Sequence, residues 1–353
     1  MLRDQLIRAA LYSFLFACAT GFAMEPSAGF FRLREISNYV MISRALYVAA
    51  DLELADHLSV PLLLEDLAQK AGVDHRGLHR LVRCLMEYGV FCYTQNGLIC
   101  NNEDSPFLKK DHPQTIRPFI LHDDPMRWNA IGNLGYSIKT SKPSFDELYG
   151  MDYFAYLNSD SLLSERFDEA MAIISQQEDE RIAQMISFSG TVADIGGGKG
   201  QLLECIAKNN NQIEQLILFD LQQVQNNVVL SGASMMQIVG SFFDPITFCA
   251  DTFILKRILH DWDDQKAGHI LSNVAQAMNE DTVLYIIDAV IDQCQDKKLI
   301  LDIDLRLLSI FGGQERTRAE FEALCSSAGL EIVQIRELTL ISHVIECRKV
   351  KGA

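Results

Sequence analysis

The feature that most constrains the fold is an alternation of short apolar strands and amphipathic helices from residue 191 to the carboxyl end. Such alternation is typical of an α/β domain with a mostly parallel sheet and helices on both faces. Only six residues separate the last two strands, too few for a crossover, so we expect these two to be antiparallel neighbours. We predict six strands: Val192–Ile195, Gln215–Phe219, Thr252–Leu255, Val283–Ile287, Leu330–Arg336 and His343–Cys347.

The amino-terminal part has a different, mainly helical pattern. A helix over 38–58 is followed by a short helix (62–71), a turn and a second helix (75–89). Two short strands then flank an Asn96-Gly97 turn, a pair typical of hairpins. Helix, turn, helix and hairpin is the outline of a winged helix.

A winged helix raises the alternative of a DNA-binding regulator, because Arg76, Arg80 and Arg83 lie at helical spacing on the second helix. Residues 57–112 nevertheless hold seven acidic and six basic side chains, and the whole chain carries a net charge of −16. A nucleic-acid module needs a basic footprint to neutralise phosphates. We therefore favour a solvent-exposed or dimer-facing stripe of arginines and expect no nucleic-acid partner.

Residues 113–180 read as linker helices rich in aromatic and methionine side chains, among them Trp128, Phe167 and Met171. Such residues are usually core, but they also dominate small-molecule pockets. We accordingly divide the chain into an extension (1–23), an amino-terminal domain (24–112), linker helices (113–180) and a carboxy-terminal domain (181–353).

The extension has an apolar run, Ala9–Ala23, after two arginines, which superficially resembles a secretory signal. We favour the simpler explanations, an added helix or a start site placed upstream of Met24, because the rest of the sequence is typical of a cytosolic protein. The run is short for a membrane span. The nine cysteines are scattered without a CxxC spacing, as expected of reduced thiols. We expect a cytoplasmic protein with no membrane association.

A glycine loop closes the first predicted strand of the α/β domain: Asp194 and Ile195 precede Gly196, Gly197, Gly198, Lys199 and Gly200. Glycines let a backbone approach a ligand closely. Asp220 ends the next strand, where a carboxylate can accept both hydroxyls of a ribose. Gln201 replaces the third glycine of a dinucleotide fingerprint, so a nucleoside-bearing ligand without a pyrophosphate fits better. S-adenosylmethionine is such a ligand, and Asp194 can help orient its amino-acid arm.

The run LKRILHDWDD places His260 where a strand passes into a helix, at the sheet edge that binds ligands in α/β folds. Histidine is readily poised as a base near neutral pH. A hydroxyl needs a base before it attacks a methyl group, and a carboxylate beside the base orients it. Asp288, which ends the next strand, and Glu315 are the candidates for that carboxylate.

The same run permits a simpler interpretation. His260 is then a surface histidine, and Asp261, Asp263 and Asp264 form a solvated helix start favoured by the helix dipole. As a third alternative, these acids supply oxygen ligands to magnesium. We favour a site without metal, because consecutive acids at a helix start have a sufficient local explanation.

In these ordered motifs the chain resembles the metal-independent, S-adenosylmethionine-dependent O-methyltransferases of the plant caffeic acid, bacterial polyketide and hydroxyindole type. The resemblance spans about residues 35–348 and rests on ALYVAADLELADHL, FDEAMAIIS, ADIGGGKG, FDL, GSFF, LKRILHDWDD and FGGQERTRAEF. It implies a Rossmann-like methyltransferase domain with an amino-terminal, mainly α winged-helix dimerisation domain. It also implies a homodimer.

The resemblance carries functional roles onto matching residues. His260 corresponds to the general base, flanked by Asp288 and Glu315. The implied cofactor contacts are Gly196, Asp220, Phe242 and Lys256, to which we add Asp194 and Gly198 of the glycine loop and Ser241 beside Phe242. The implied acceptor contacts are Phe167 and Met171, to which we add Trp128 of the linker helices. One departure is that Ser241 stands where the family usually has an aspartate, so a hydroxyl replaces a carboxylate near the adenine.

From the sequence we therefore expect an O-methyltransferase that methylates a hydroxyl of a small aromatic or other apolar metabolite. Two alternatives remain: a DNA-binding regulator that uses the cofactor fold as a sensor, and a relative with different cofactor-dependent chemistry.

Overall fold

The computed structural model describes residues 27–225 and 235–350. Contacts divide the chain into two compact units, one ending at Pro113 and the other beginning at Gln114. The extension predicted at residues 1–23 lies outside the described residues. Within the described part, no helix combines the length and the apolar character needed to cross a membrane.

The amino-terminal unit is mainly helical. Its elements are α1 (Ala28–Asp51), α2 (Leu54–His57), α3 (Leu64–Ala71), α4 (His75–Glu87), β1 (Cys92–Tyr93) and β2 (Ile99–Cys100). Asp74 begins α4 by accepting hydrogen bonds from the backbone N–H groups of Arg76 and Gly77. The helix expected over 38–58 starts earlier and is interrupted at Glu53, whose φ of 55° lies in the left-handed region.

The carboxy-terminal unit opens with helices and continues as alternating strands and helices. Its helices are α5 (Arg117–His122), α6 (Pro125–Gly132), α7 (Leu134–Thr140), α8 (Ser144–Tyr149), α9 (Tyr153–Asn158), α10 (Ser161–Met185), α11 (Gln201–Asn209), α12 (Gln222–Gln225), α13 (Asp264–Ala277), α14 (Lys297–Ile310) and α15 (Arg318–Ser327). Its strands are β3 (Ser189–Ile195), β4 (Gln212–Asp220), β5 (Met235–Val239), β6 (Thr252–Lys256), β7 (Val283–Asp288), β8 (Leu330–Glu337) and β9 (His343–Lys349).

These seven strands form one sheet in the order β5-β4-β3-β6-β7-β9-β8. Strands β3 to β7 all run in the same direction, and β9 is antiparallel to both β7 and β8. The prediction of a mostly parallel sheet with an antiparallel final pair is confirmed. Sequence reasoning missed β5, an edge strand whose side chains are mostly exposed and which therefore has no buried apolar run.

The sheet is buried on both faces because its side chains alternate between two cores. Phe253 and Leu255 of β6 pack with one core, which includes Ile270 and Val274 of α13. Ile254, between them in sequence, packs with the other core, which includes residues of α10 and α11. Parallel strands covered on both faces have this continuous apolar character.

The strand order reverses between β3 and β6, which lie side by side at the centre of the sheet. Ligands of open α/β sheets bind at the carboxyl ends of the strands beside such a reversal. Gly196, Asp220, Lys256 and Asp288 follow or end four adjacent parallel strands. The topology thus brings the residues predicted for the cofactor and for catalysis to one edge of the sheet.

Candidate active site

The turn that follows β6 contacts the end of β7 and leads into His260. Arg257 adopts a φ of 54°, a left-handed conformation that costs a residue with a side chain about 1 kcal/mol or more. Its backbone N–H donates to the carbonyl of Ile287, and its guanidinium forms a forked pair with Glu178 at 3.1 and 2.7 Å. These contacts hold the strained turn that leads into His260.

His260 is buried among three carboxylates. Its Nδ1 lies 3.0 Å from Oε1 of Glu315 and 3.8 Å from Oδ1 of Asp288, and its Nε2 lies 3.6 Å from Oδ1 of Asp261. A carboxylate can only accept, so Nδ1 donates its hydrogen to Glu315. In the neutral imidazole, Nε2 is then the nitrogen that carries the free lone pair. The arrangement suits a general base acting through Nε2.

The charges around His260 favour its protonated form. Burial alone lowers the pKa of His260, but the negative charges of Glu315, Asp261 and Asp288 outweigh burial and raise that pKa to about 10. Burial raises the pKa of Asp288 to about 7 and that of Asp261 to about 6. The protonation states of His260, Asp261 and Asp288 therefore depend on one another.

Asp288 acts on His260 by charge rather than by a hydrogen bond, since 3.8 Å is beyond hydrogen-bond distance. Both of its carboxylate oxygens, and Oε2 of Glu315, are buried without a hydrogen-bond partner among the described residues. A cavity of about 10 Å³ adjoins them, lined on its polar side by Arg257 and Ser342. That volume matches one water molecule.

The loop between α14 and α15 holds the His260 turn from the opposite side. Gln314 donates its backbone N–H to the carbonyl of His260 at 2.9 Å. A Cβ on Gly313 would lie 2.1 Å from that same carbonyl oxygen, so only glycine permits the approach. The backbone N–H of Glu315 donates to Asp304 of α14 at 2.8 Å, which fixes the residue that orients the imidazole.

Arg316 completes this contact between the two loops. It is fully buried, and it donates from Nη1 to the carbonyl of Leu259 and from Nη2 to that of Trp262, at 2.9 and 2.8 Å. Its Nε donates to the Asp264 carboxylate at 2.9 Å. Sequence patterns did not single out Arg316, because an arginine that serves backbone carbonyls leaves no spacing signal.

The three aspartates that follow His260 have different structural roles. Asp263 accepts the N–H of Lys266 as the N-cap of α13, and Asp264 is exposed and pairs with Arg316, so the helix-start interpretation holds for these two. Asp261 is instead half-buried beside His260, with Oδ1 3.6 Å from Nε2. Among the described residues, no group of three or more His, Cys, Asp or Glu is arranged to hold a metal ion.

The glycine loop is built for close approach. Gly196 has a φ of 73°, and a Cβ there would lie 2.6 Å from Cδ1 of Ile258. The backbone N–H of Gly198 donates to Oδ2 of Asp220 at 2.8 Å, and Oδ1 accepts from Leu221. These two backbone contacts orient the Asp220 carboxylate at the end of β4.

Charged residues surround the loop. Burial raises the pKa of Asp194 to about 7, against the opposing positive charge of Lys256. Lys256 pairs with the buried carboxylate of Asp179. Lys199 of the loop forms an ion pair with Asp168 at 3.3 Å. Neither aspartate was predicted, because both lie on a helix distant in sequence from the loop.

Phe242 and Ser241, which were predicted to contact adenine, lie beside the glycine loop. The ring of Phe242 comes within 3.5 Å of a Cβ built on Gly196, and it meets the Trp262 ring edge-on at 6.2 Å. The Ser241 hydroxyl accepts the N–H of Phe243 at 3.2 Å. Ser241 therefore stabilises its own turn and keeps its O–H hydrogen to donate.

The linker helices form an aromatic cluster that includes Phe167. Tyr153, Phe154 and Phe311 pack with it, and Phe154 stacks on Trp262 of the His260 turn at 5.8 Å. The cluster therefore reaches the catalytic turn. Trp128 and Met171, the other predicted acceptor contacts, are half-buried on α6 and α10.

Comparisons with known proteins agree with this geometry. Residues 131–331 match the model of the O-methyltransferase domain, and residues 34–105 match that of the O-methyltransferase dimerisation domain. The chain belongs to the O-methyltransferase family. It is an O-methyltransferase built on a Rossmann-like domain preceded by a mainly helical dimerisation domain.

Individual relatives cover nearly all of this O-methyltransferase. The 2,7-dihydroxy-5-methyl-1-naphthoate 7-O-methyltransferase of Streptomyces carzinostaticus is 32% identical over 85% of the chain and 92% of the relative. The structure of the mitomycin 7-O-methyltransferase covers 92% of the chain and 98% of its own, with 29% identity and a TM-score of 0.86. An O-methyltransferase from neocarzinostatin biosynthesis, solved with S-adenosylmethionine and 2-hydroxy-5-methyl naphthoic acid, covers 95% and 100%, with 28% identity and a TM-score of 0.78.

Replacing Arg316 tests the contact between the two loops. We expect Arg316→Met to lower the free energy of unfolding by about 2–4 kcal/mol, because two buried carbonyls lose their donors. The control is Arg318→Met, which removes an exposed pair with Glu322 and costs less than about 1 kcal/mol. Denaturant unfolding measures both. Equal losses would show that Arg316 has no special structural role.

The pH dependence of turnover tests the charge around His260. A general base acts in its neutral form, so we expect kcat/KM to rise with pH from neutrality towards the pKa of about 10. Glu315→Gln removes the nearest negative charge and should move the rising limb about one to three pH units lower. Its maximum should fall, because the neutral amide orients the imidazole less firmly. The control is Glu322→Gln, exposed on α15, which should leave the rising limb of the kcat/KM profile in place. A rising limb that does not move in Glu315→Gln would contradict the account.

Proposed function

We propose that this O-methyltransferase transfers a methyl group from S-adenosylmethionine to a hydroxyl of a small, largely apolar aromatic compound. The observation that carries the proposal is the position of His260, held by Glu315 at a sheet edge shared with the glycine loop and Asp220. A base, its orienting carboxylate and a nucleoside cradle are thereby assembled within one unit.

In this proposal His260 takes the hydroxyl proton at Nε2 while Glu315 holds Nδ1–H. The carboxylates of Glu315, Asp288 and Asp261 stabilise the imidazolium that results, as a carboxylate does in a catalytic triad. Deprotonation converts a poor nucleophile into an oxyanion, and such base catalysis contributes about 10²- to 10⁴-fold.

The residues at the glycine loop fit S-adenosylmethionine, which supplies an activated methyl group on its sulfonium. Gly196 and Gly198 let the backbone approach a nucleoside closely, and Asp220 holds a carboxylate at the end of the next strand, the place at which such a group accepts from ribose hydroxyls. Phe242 offers a ring face for adenine. We assign Asp194, Ser241 and Lys256 to the remaining cofactor contacts; the existing pair of Lys256 with Asp179 leaves two of its three ammonium hydrogens.

The acceptor is proposed to be aromatic because the cluster around Phe167 connects to Trp262 beside His260. Aromatic walls favour flat, apolar ligands. Trp128 and Met171 are proposed to line the same pocket. The neocarzinostatin relative, which was solved with a hydroxynaphthoic acid, supports this acceptor class.

The amino-terminal unit is proposed to be a winged helix that forms a homodimer. It matches a dimerisation domain, and α1 exposes a series of large apolar side chains. Its exposed members are Phe30, Leu33, Ile36, Tyr39, Val40, Met41 and Val48. Contiguous apolar surface of this kind marks association sites. A regulator that binds DNA is not favoured. A cytoplasmic location and the absence of nucleic-acid and membrane partners stay predictions.

Substitution of His260 tests the proposed chemistry. We expect His260→Ala to keep the wild-type Kd for S-adenosylmethionine, measured by calorimetry, because His260 acts on the acceptor rather than on the cofactor. Its kcat with a hydroxylated naphthalene should fall about 10²- to 10⁴-fold. His75→Ala, an exposed histidine of the amino-terminal unit, is the control and should change neither value. Undiminished turnover in His260→Ala would refute the role of the base.

Substitution of Asp220 tests the cofactor site separately. Asp220→Asn keeps the shape of the side chain but weakens it as an acceptor, so we expect the Kd for S-adenosylmethionine to rise by about 10-fold or more. Asp244→Asn, in the loop after Phe243, serves as the matched control. An unchanged Kd in Asp220→Asn would place the ribose elsewhere.

A further inference from the structure

Three arginines lie around the active site, and they differ in how their guanidinium N–H groups are satisfied. Arg316 donates from all three nitrogens, and Arg257 forms a forked pair with Glu178. Arg127 is only 5% exposed, yet its contact with Asp123 is long, 3.5 Å from Nε, and its Nη1 has no hydrogen-bond partner among the described residues. A buried guanidinium has five N–H groups to satisfy, and leaving them unpaired is costly.

The nearby carboxylates are already engaged. Arg306 also donates to Asp123, so two cations share that side chain. Asp124 caps α6, and its Oδ1 accepts the backbone N–H groups of Met126 and Arg127. Tyr153 also hydrogen-bonds the Arg127 guanidinium, so the capacity left for an anionic partner lies at Nη1.

The surroundings place Arg127 on the acceptor side of the site. Its guanidinium carbon lies 5.0 Å from the centre of the Tyr153 ring and 6.0 Å from that of Phe311, within the aromatic cluster. Its positive charge is one of those that lower the pKa of Asp261, the carboxyl beside Nε2 of His260. The charges that act on Asp194 at the glycine loop are instead those of Lys256, Asp179 and Asp220.

A planar guanidinium with free N–H groups, set among aromatic rings, matches a carboxylate attached to an aromatic ring. The fork pairs with both carboxylate oxygens while the rings pack on the apolar body. We propose that Arg127 binds the carboxylate of the methyl acceptor, so that hydroxylated aromatic carboxylic acids are the preferred substrates. This inference rests on the proposed function, because it assigns the acceptor of that same reaction.

The test is a binding comparison that needs no turnover. The full-length protein, saturated with S-adenosylhomocysteine, is titrated calorimetrically with 1-naphthoate and with 1-naphthamide, which has the same shape without the charge. We expect the naphthoate to bind about 10- to 100-fold more tightly, the range of a charge-assisted hydrogen bond. Arg127→Met should abolish that preference, and Arg127→Lys should retain part of it because the charge remains and the fork is lost.

Arg306→Met is the matched control. This substitution removes the other cation that pairs with Asp123. Because the Arg306 side chain is half-exposed, the preference for naphthoate should persist.

Denaturant unfolding adds a second readout. Removing a structural arginine destabilises a fold, whereas removing a buried cation that awaits a ligand should leave the free energy of unfolding unchanged or higher.

Three results would overturn the assignment of Arg127. The first is equal affinity of the wild type for naphthoate and naphthamide. The second is a preference for naphthoate that survives in Arg127→Met. The third is an Arg127→Met variant whose Kd for S-adenosylmethionine rises while its binding of naphthoate is unchanged. Methylation of a neutral naphthol would meanwhile leave the proposed function standing. Conversely, naphthoate bound through Arg127 without methyl transfer to any hydroxylated aromatic, charged or neutral, would refute the proposed function and keep the carboxylate site.

Discussion

The active site depends on one contact between two loops that are distant in sequence. Gly313 and Gln314 pack on the carbonyl of His260, and Arg316 donates to the carbonyls on either side of it. This contact places Glu315 against Nδ1 of the imidazole and selects the tautomer in which Nε2 is free. Without the α14–α15 loop packed against it, the turn after β6 would leave the imidazole of His260 free to rotate, and its orientation would be lost.

The carboxylates that hold His260 also oppose its deprotonation. Three negative charges around one imidazole raise its pKa to about 10, so the charge that stabilises the imidazolium in the transition state also stabilises it beforehand. A base works best when its pKa lies near the working pH. We infer that the three carboxylates serve to orient His260 and to stabilise its imidazolium form. The consequence is that only a small fraction of His260 is neutral in the ligand-free protein.

Sequence reasoning predicted the sheet well, because parallel strands buried on both faces give continuous apolar runs such as Phe253–Leu255. It missed β5, since an exposed edge strand has no such run. For the site, it predicted His260, Asp288 and Glu315, which lie together. It missed Asp304, Asp179 and Arg316, because residues that support others through backbone or ion-pair contacts follow no local spacing. The simpler interpretation of the acidic run treated Asp261 as solvated like Asp263 and Asp264. Its partial burial could not be predicted, because it depends on packing against Gly313 of the α14–α15 loop.

The most direct test of this account is nitrogen NMR of the protein labelled with ¹⁵N in its histidine rings, with His260→Ala used to assign the signal. The account predicts that the His260 imidazole stays protonated well above pH 6.5 and that, once neutral, it carries its hydrogen on Nδ1. A neutral His260 at pH 7 with its hydrogen on Nε2 would contradict the account, since Nε2 would then have no lone pair with which to act as the base.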